Sequence, residues 1–321
     1  MTAHPATADH APGRPVPLGS ILGALRRGAG DPTWHQERHQ RHQGHQSHGA
    51  IWRASRTPDG PVTLRLHLEP AQTGDRVVAR AWGPGAGWAL QGLPALLGAD
   101  DDPSGFAPRE DVLRRAAHTH RHWRLGRTRL VLEALVPAII EQRVTGKQAF
   151  GGYRQLVRRW GAVAPGPPEA IAAMRLMVPP SVEQWRRIPS WEWLRAGVDA
   201  QRADTIARVL QVAPRLEECS ALPCENAWQR LRSVRGVGVW TAAETMQRAC
   251  GDADAVSFGD YHVAKDIGHA LTGSPVDDEQ LERLLRPYAG HRFRVQFLVT
   301  AQRLGPARRG ARLAIPTHLP G

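Results

Sequence analysis

The sequence predicts a mostly α-helical protein in which a small α+β unit precedes a long helical region. Three observations carry that expectation. Apolar residues between 51 and 98 recur with period two, the signature of half-buried strands. From about residue 108 they recur at helical spacing instead. The helical stretches are divided by brief Pro/Gly punctuation such as Ala164-Pro165-Gly166-Pro167-Pro168, so successive helices must be close neighbours.

The chain has 321 residues, 41% of them hydrophobic, which supports a buried core and excludes wholesale disorder. No run approaches the ~18 apolar residues that a spanning helix needs. The first residues lack the apolar stretch of a signal peptide, so a soluble, cytoplasmic protein is expected, nucleoid-associated if bacterial. Cys219, Cys224 and Cys250 are odd in number and lack the repeated close spacing of a zinc or iron–sulfur site. Neither a disulfide framework nor a bound metal is expected.

Residues 1–50, rich in Pro, Gly and His, read as a mobile segment. Within it His35, His39, His42, His45 and His48 recur every three or four residues. That spacing fits one face of a metal-binding helix, but the preferred reading is a solvated Gln/His-rich tract, since no acidic or cysteine ligand stands beside it. The α+β unit occupies 51–105. Val62, Leu64, Leu66 and Leu68 predict one strand and Val77–Trp82 another, with Thr73-Gly74-Asp75 turning between them. Gly87–Leu97 predicts a short helix, and Asp100, Asp101 and Asp102 mark the boundary. In the helical region, 106–305, Leu130, Leu132, Leu135, Ile139 and Ile140 predict a helix that Pro137 should kink. Further helices are expected near 147–160, 181–187, 190–196, 199–212, 224–232, 239–250, 261–271, 278–286 and 291–304, with residues 306–321 forming a tail.

The net charge of +12 is unevenly placed: +1 over residues 1–105 and +11 over 106–321. A helical region with that excess suits a polyanionic partner, usually nucleic acid. The basic residues are nearly all arginine, Lys147 and Lys265 being the only lysines.

The chemistry-bearing segment is Leu231-Arg-Ser-Val-Arg-Gly-Val-Gly-Val-Trp-Thr-Ala242. Gly236 and Gly238 let the backbone turn tightly and present N–H groups at a helix N-terminus, where the unpaired donors and the helix dipole attract a phosphate. An ordinary helical hairpin uses the same Gly-X-Gly. Nineteen residues after Thr241 stands Asp260, in Val256-Ser-Phe-Gly-Asp-Tyr-His262. Locally it reads as an N-cap, a role that also holds a carboxylate rigid.

Val234-Arg-Gly-Val-Gly-Val-Trp-Thr-Ala242 followed by the Asp260 segment resembles the helix-hairpin-helix base-excision DNA glycosylase superfamily, most closely its DNA-3-methyladenine glycosylase II branch. Leu132-Glu-Ala-Leu-Val-Pro-Ala-Ile-Ile-Glu-Gln-Arg-Val-Thr145 resembles that family's helix-to-turn segment. The resemblance covers roughly residues 51–305 and implies a two-lobed helical domain. It implies that Asp260 is the catalytic carboxylate, opposing the positive charge that builds on the sugar as the N-glycosidic bond breaks. The target nucleotide must first be flipped out of the duplex. Arg235, Gly236, Gly238 and Thr241 would grip phosphate, and Gln142 or Arg143 would fill the gap in the duplex.

Bifunctional members place a Schiff-base lysine where this chain has Trp240, so the resemblance implies a monofunctional glycosylase whose Trp240 stacks on a cationic alkylated purine. Glu244 and His291 stand where the branch carries pocket aromatics. Glu244 fits either a partner for an exocyclic amine or a plain helix charge. His291 stacks more weakly and titrates near neutrality. The two leave open a different or bulkier lesion, and a non-catalytic DNA-binding protein is the further alternative. The implied partner is double-stranded DNA with damaged bases, bound by a monomer. No cofactor is required and no iron–sulfur cluster is expected, while a structural cation at the hairpin is compatible.

Overall fold

The alternating residues Val62, Leu64 and Leu66 lie in the centre of a five-stranded antiparallel sheet. The structure, a computed structural model, describes residues 4–37, 41–42, 45–46 and 49–306. In chain order the strands are β1 (Ala6–His10), β2 (Trp34–Gln36), the short pair β3 (Arg41–His42) and β4 (His45–Gln46), β5 (Ile51–Thr57), β6 (Gly60–Pro70) and β7 (Asp75–Trp82). The sheet runs β1-β7-β6-β5-β2, with Leu64 between Ala81 and Arg53 and Leu66 between Ala79 and Ile51. Because side chains alternate across a strand, one register sends Leu64, Leu66, Ala79 and Ala81 to the same face. That face is covered by α1 (Leu18–Gly23), α2 (Ala86–Gln91) and α3 (Leu93–Leu96), with Trp123 and Phe293 reaching in from the helical region. On the opposite face Trp52 and Trp82 stack 5.3 Å apart against Ile171, Leu176 and Val178.

Several expectations change here. Residues 6–36 are built into the domain: β1 and β2 form the sheet edges and α1 covers its core, so this stretch is not the loose segment expected. Its Pro/Gly-rich composition hid short strands whose partners lie far along the chain. Strand β5 was not anticipated, because it is buried on both faces and shows no alternation. The single helix expected over Gly87–Leu97 is two, broken at Gly92, where a Cβ would meet the Arg129 guanidinium at 2.4 Å. His35 lies on β2 opposite Trp52, not on a helix. His42 and His45 lie on the β3–β4 pair, while His39, His48 and the tail from residue 307 lie outside the described residues.

The helical region contains α4 (Asp111–Thr119), α5 (Val131–Ile140), α6 (Gly146–Trp160), a small strand pair β8 (Ala162–Val163) and β9 (Met177–Val178) around α7 (Pro168–Met174), then α8 (Val182–Arg186), α9 (Ser190–Arg195), α10 (Ala200–Gln211), α11 (Ala213–Glu217), α12 (Cys224–Arg232), α13 (Val239–Thr245), α14 (Val263–Thr272), α15 (Asp278–Leu285) and α16 (Arg292–Ala301). Capping boxes start α6 (Thr145/Gln148), α8 (Ser181/Gln184) and α15 (Asp277/Gln280). The sequence pattern did not single out the short helices α7 and α11. The helix expected over 239–250 becomes π-helical at Met246–Cys250, where the Arg248 and Ala249 carbonyls accept from the Thr128 and Arg129 N–H groups.

Two separate cores make two lobes. Leu135, Ile139, Leu156, Ile206, Leu231 and Met246 centre the first. Leu113, Ile267, Leu281, Leu285, Val295 and Leu298 centre the second, which joins α4 to α14–α16. The chain crosses between lobes at residues 251–262, so Asp260 stands at their junction. Among the described residues no helix is long and apolar enough to cross a membrane.

Candidate active site

The two glycines of the hairpin do different work. Gly236 has φ +98°, and a Cβ there would come within 2.3 Å of Thr205 Oγ1, so the turn requires glycine on both counts. Gly238 is extended, exposed and clear of any neighbour within 4 Å. It opens α13, whose first bond runs from the Ala242 N–H to the Gly238 carbonyl, 3.0 Å. The N–H groups of Gly238 and Val239 precede that bond, on an exposed surface beside Arg235. The carbonyls of Val234, Arg235 and Gly236 accept from the Val237 N–H, Arg208 and Gln142. The turn is closed by the protein's own donors.

Thr241 does not join that surface. It is buried, and its hydroxyl accepts from Gln142 Nε2 at 2.8 Å. Gln142 also donates to the Gly236 carbonyl, 3.0 Å. With both amide hydrogens on the hairpin, Gln142 braces it. The turn after α5 is held on each side: the Arg202 guanidinium, itself buried, donates to the Ile140 carbonyl at 2.7 Å, and Arg27 pairs with Glu141 at 2.5 Å. Arg143 alone projects, exposed and at φ +56°, a conformation that costs a non-glycine residue about 1 kcal/mol. Of the two gap-filling candidates the geometry leaves this one available.

Asp260 is half-buried, with both carboxylate oxygens engaged. Oδ1 accepts from the His262 and Val263 N–H groups, 2.7 and 3.1 Å, at the entry to α14. Oδ2 accepts from the Trp240 indole N–H at 3.2 Å. Asp260 is therefore not the N-cap itself, which is His262, but stands two residues before it and is tied across the lobe junction to the hairpin helix. Trp240 was expected only as a stacking wall. Its donor role was not foreseen, because the partner lies twenty residues away.

Glu244 is neither a solvated helix charge nor a free acceptor for a base. It is 8% exposed; Oε1 accepts from the Ser257 hydroxyl at 2.6 Å, and Oε2 pairs with Arg248 at 2.7 Å. Burial alone would raise its pKa. Arg248, the Ser257 hydrogen bond and Arg27 outweigh burial and hold it below the usual carboxylate range. The loop leading to Asp260 is fastened at several points. Asp252 accepts from Trp228 Nε1, Asp254 pairs with Arg292, and Gly259 N–H donates to Asp278.

His291 opens α16 and packs edge-on against Phe106, with ring centroids 6.0 Å apart. Sequence reasoning missed Tyr261, which follows Asp260, is 74% exposed, and has Lys265 Nζ over its ring at 3.5 Å. It missed Ser257 and Arg27 as well; nothing local marks either. Among the described residues no group of three or more His, Cys, Asp or Glu is placed to hold a metal ion.

No family model and no curated protein matches the sequence. Solved structures do match its shape. The 3-methyladenine DNA glycosylase from Archaeoglobus fulgidus superposes with a TM-score of 0.63 at 20% identity, covering 79% of this chain and 87% of that one. The Clostridium acetobutylicum 8-oxoguanine glycosylase/lyase, in complex with double-stranded DNA, gives 0.60 at 13% identity, covering 94% and 97%. MBOgg1 with a low-affinity DNA ligand gives 0.65 at 13%, covering 94% and 96%. The chain has the helix-hairpin-helix DNA glycosylase fold, with an N-terminal α+β region.

Proposed function

We propose that the chain is a monofunctional DNA glycosylase that flips alkylated purines of the 3-methyladenine kind out of duplex DNA and hydrolyses their N-glycosidic bonds in base excision repair. The observation that carries this reading is Asp260, immobilised at the lobe junction by two backbone N–H groups and the Trp240 indole. A carboxylate held in place needs no reorganisation when positive charge develops on the sugar.

On this reading the residues take the following roles. The exposed N–H groups at Gly238 and Val239, with Arg235, take a backbone phosphate without reading sequence. Arg143 enters the stack as the damaged nucleotide leaves it. The Trp240 face receives the electron-poor base. The bond from C1′ to the base nitrogen then breaks, its electron pair leaving with an alkylated base that is already cationic and becomes neutral. Asp260 stabilises the oxocarbenium-like sugar, water adds at C1′, and its proton passes to Asp260 or solvent. A free base and an abasic site result.

Absence of lyase chemistry is supported by Trp240 at the hairpin position where bifunctional members carry lysine. Lys265 rests over Tyr261, and Lys147 is exposed on α6. The likeness to an 8-oxoguanine glycosylase/lyase makes a different lesion the second reading. One assay separates the two: incubate wild type and Asp260→Asn with methylated and with 8-oxoguanine duplexes, and quantify released bases and abasic sites by mass spectrometry. Release of alkylated purines by wild type alone is expected. No release of any base sinks the enzymatic reading, and nicking without alkali sinks the monofunctional one.

A further inference from the structure

We infer that Glu244 is a positioning residue: through Ser257 it holds the loop that carries Asp260, and the N-terminal domain holds Glu244 in turn. The inference takes its chemistry from the proposed glycosylase activity but stands on separate contacts.

Glu244 lies on α13 one turn beyond Trp240. An ionised carboxylate here faces two penalties, burial and the approach of DNA phosphates. It is retained with both oxygens committed, to Ser257 at 2.6 Å and Arg248 at 2.7 Å. An amine on a flipped base would have to displace one of them.

Ser257 is the hub. Its hydroxyl donates to Glu244 and accepts from Gln247 Nε2 at 2.9 Å and Gln296 Nε2 at 3.2 Å. Its N–H donates to Gln296 Oε1 at 3.1 Å, and its carbonyl accepts the Asp260 N–H at 3.2 Å. Two amides thus fill both acceptor positions of this hydroxyl, and Glu244 accepts its proton. A path of two hydrogen bonds joins Glu244 to the backbone of Asp260.

The other end of the path lies in the N-terminal domain. Arg248, besides pairing with Glu244, donates from Nε to the Ala24 carbonyl at 3.0 Å, at the end of α1. Arg27, 6% exposed, pairs with Glu141 and lies close enough to Glu244 for their charges to interact. The α+β domain therefore braces both the turn that presents Arg143 and the loop that presents Asp260. A brace should show in the chemical step and in loop order, whereas a base-recognition residue should show in binding.

The test uses Glu244→Gln, which keeps the shape but removes the charge, and Ser257→Ala, which removes the hub hydroxyl and leaves the Glu244–Arg248 pair. Single-turnover excision from a methylated duplex gives the maximal rate, titration gives Kd, and hydrogen–deuterium exchange reports on residues 252–263. Each variant is expected to lower the maximal rate about tenfold with Kd changed less than about twofold, and to speed exchange across 256–262. The double variant should lose little more than either single one, because both break one path. An unchanged rate in both variants, or weakened binding with unchanged exchange, overturns the inference. Should Glu244→Gln fail to fold, Ser257→Ala decides alone. If the wild type excises nothing, the glycosylase reading fails, and unchanged loop exchange would then overturn the brace separately.

Discussion

Replacing Trp240 by phenylalanine separates the two roles its indole can play. Phenylalanine keeps an aromatic face for the base but loses the N–H that donates to Asp260 Oδ2 at 3.2 Å. Oδ1 keeps both backbone donors, so the carboxylate stays attached to α14 but gains freedom to swing about its Cβ–Cγ bond. Hydrogen bonds to charged groups contribute about 1.5–3 kcal/mol. This one is longer than the usual charge-assisted range and only half-buried, so the lower end, about 1.5 kcal/mol, is the appropriate figure. If that order is lost from the transition state, kcat falls about tenfold. The smaller ring should weaken ground-state stacking only slightly, leaving Kd for methylated duplex within about threefold. Single-turnover excision at saturating enzyme, with Kd from fluorescence anisotropy, measures both. Trp240→Leu, which loses donor and face together, should lower both quantities. A maximal rate for Trp240→Phe within about twofold of wild type would refute the positioning role and leave Trp240 as a wall alone.

The two hairpin glycines should respond in opposite ways. Gly236→Ala places a Cβ against Thr205 in a left-handed backbone and should cost about 2–4 kcal/mol in urea unfolding. Gly238→Ala meets open space and should cost under about 1 kcal/mol, yet weaken DNA binding by crowding the phosphate; equal unfolding midpoints for the two variants would contradict this. Arg143→Gly should relieve the positive-φ strain, raising stability by about 1 kcal/mol, while slowing excision; a thermal melt and a single-turnover assay on one preparation check both. Glu244 titrates below its unfolded value, so its contribution to stability is present above the usual carboxylate range and is lost as pH falls through its folded pKa. Glu244→Gln should therefore flatten the acid limb of a stability–pH profile, and a limb identical to wild type would exclude this carboxylate as a contributor.

What could be read in advance divides by the distance between partners. Helices α6, α9, α10 and α12 were legible to within a residue or two, since spacing, caps and breakers are local. The hairpin and Asp260 were legible because turn and cap carry their own residue types. Strand β5 was not, since Arg53 and Ser55 interrupt its apolar pattern; both are buried against Glu133, some eighty residues on. Gln142 looked like a side chain free to enter DNA until its partners, 94 and 99 residues away, were in view. Glu244, which fitted either a recognition group or a plain helix charge, is neither, because Ser257 and Arg248 take both its oxygens.

Three polar residues of the candidate site share one physical feature. A buried polar group is stable only with partners, so a polar side chain placed beside the pocket is far more readily absorbed into the protein than left for a ligand. Thr241, Gln142 and Glu244 are all absorbed in this way. On the proposed function, the groups available to DNA are the Gly238 and Val239 N–H groups, Arg143, Arg235, the Trp240 face and Tyr261. They contain no carboxylate, and four of the six are backbone donors or arginines, which suits a polyanion that must be gripped without being read. The acid the reaction needs sits among them only because Trp240 and the first turn of α14 hold it there. That division, satisfied braces behind and unsatisfied donors in front, is what the proposed glycosylase would need to scan DNA and then act at one nucleotide.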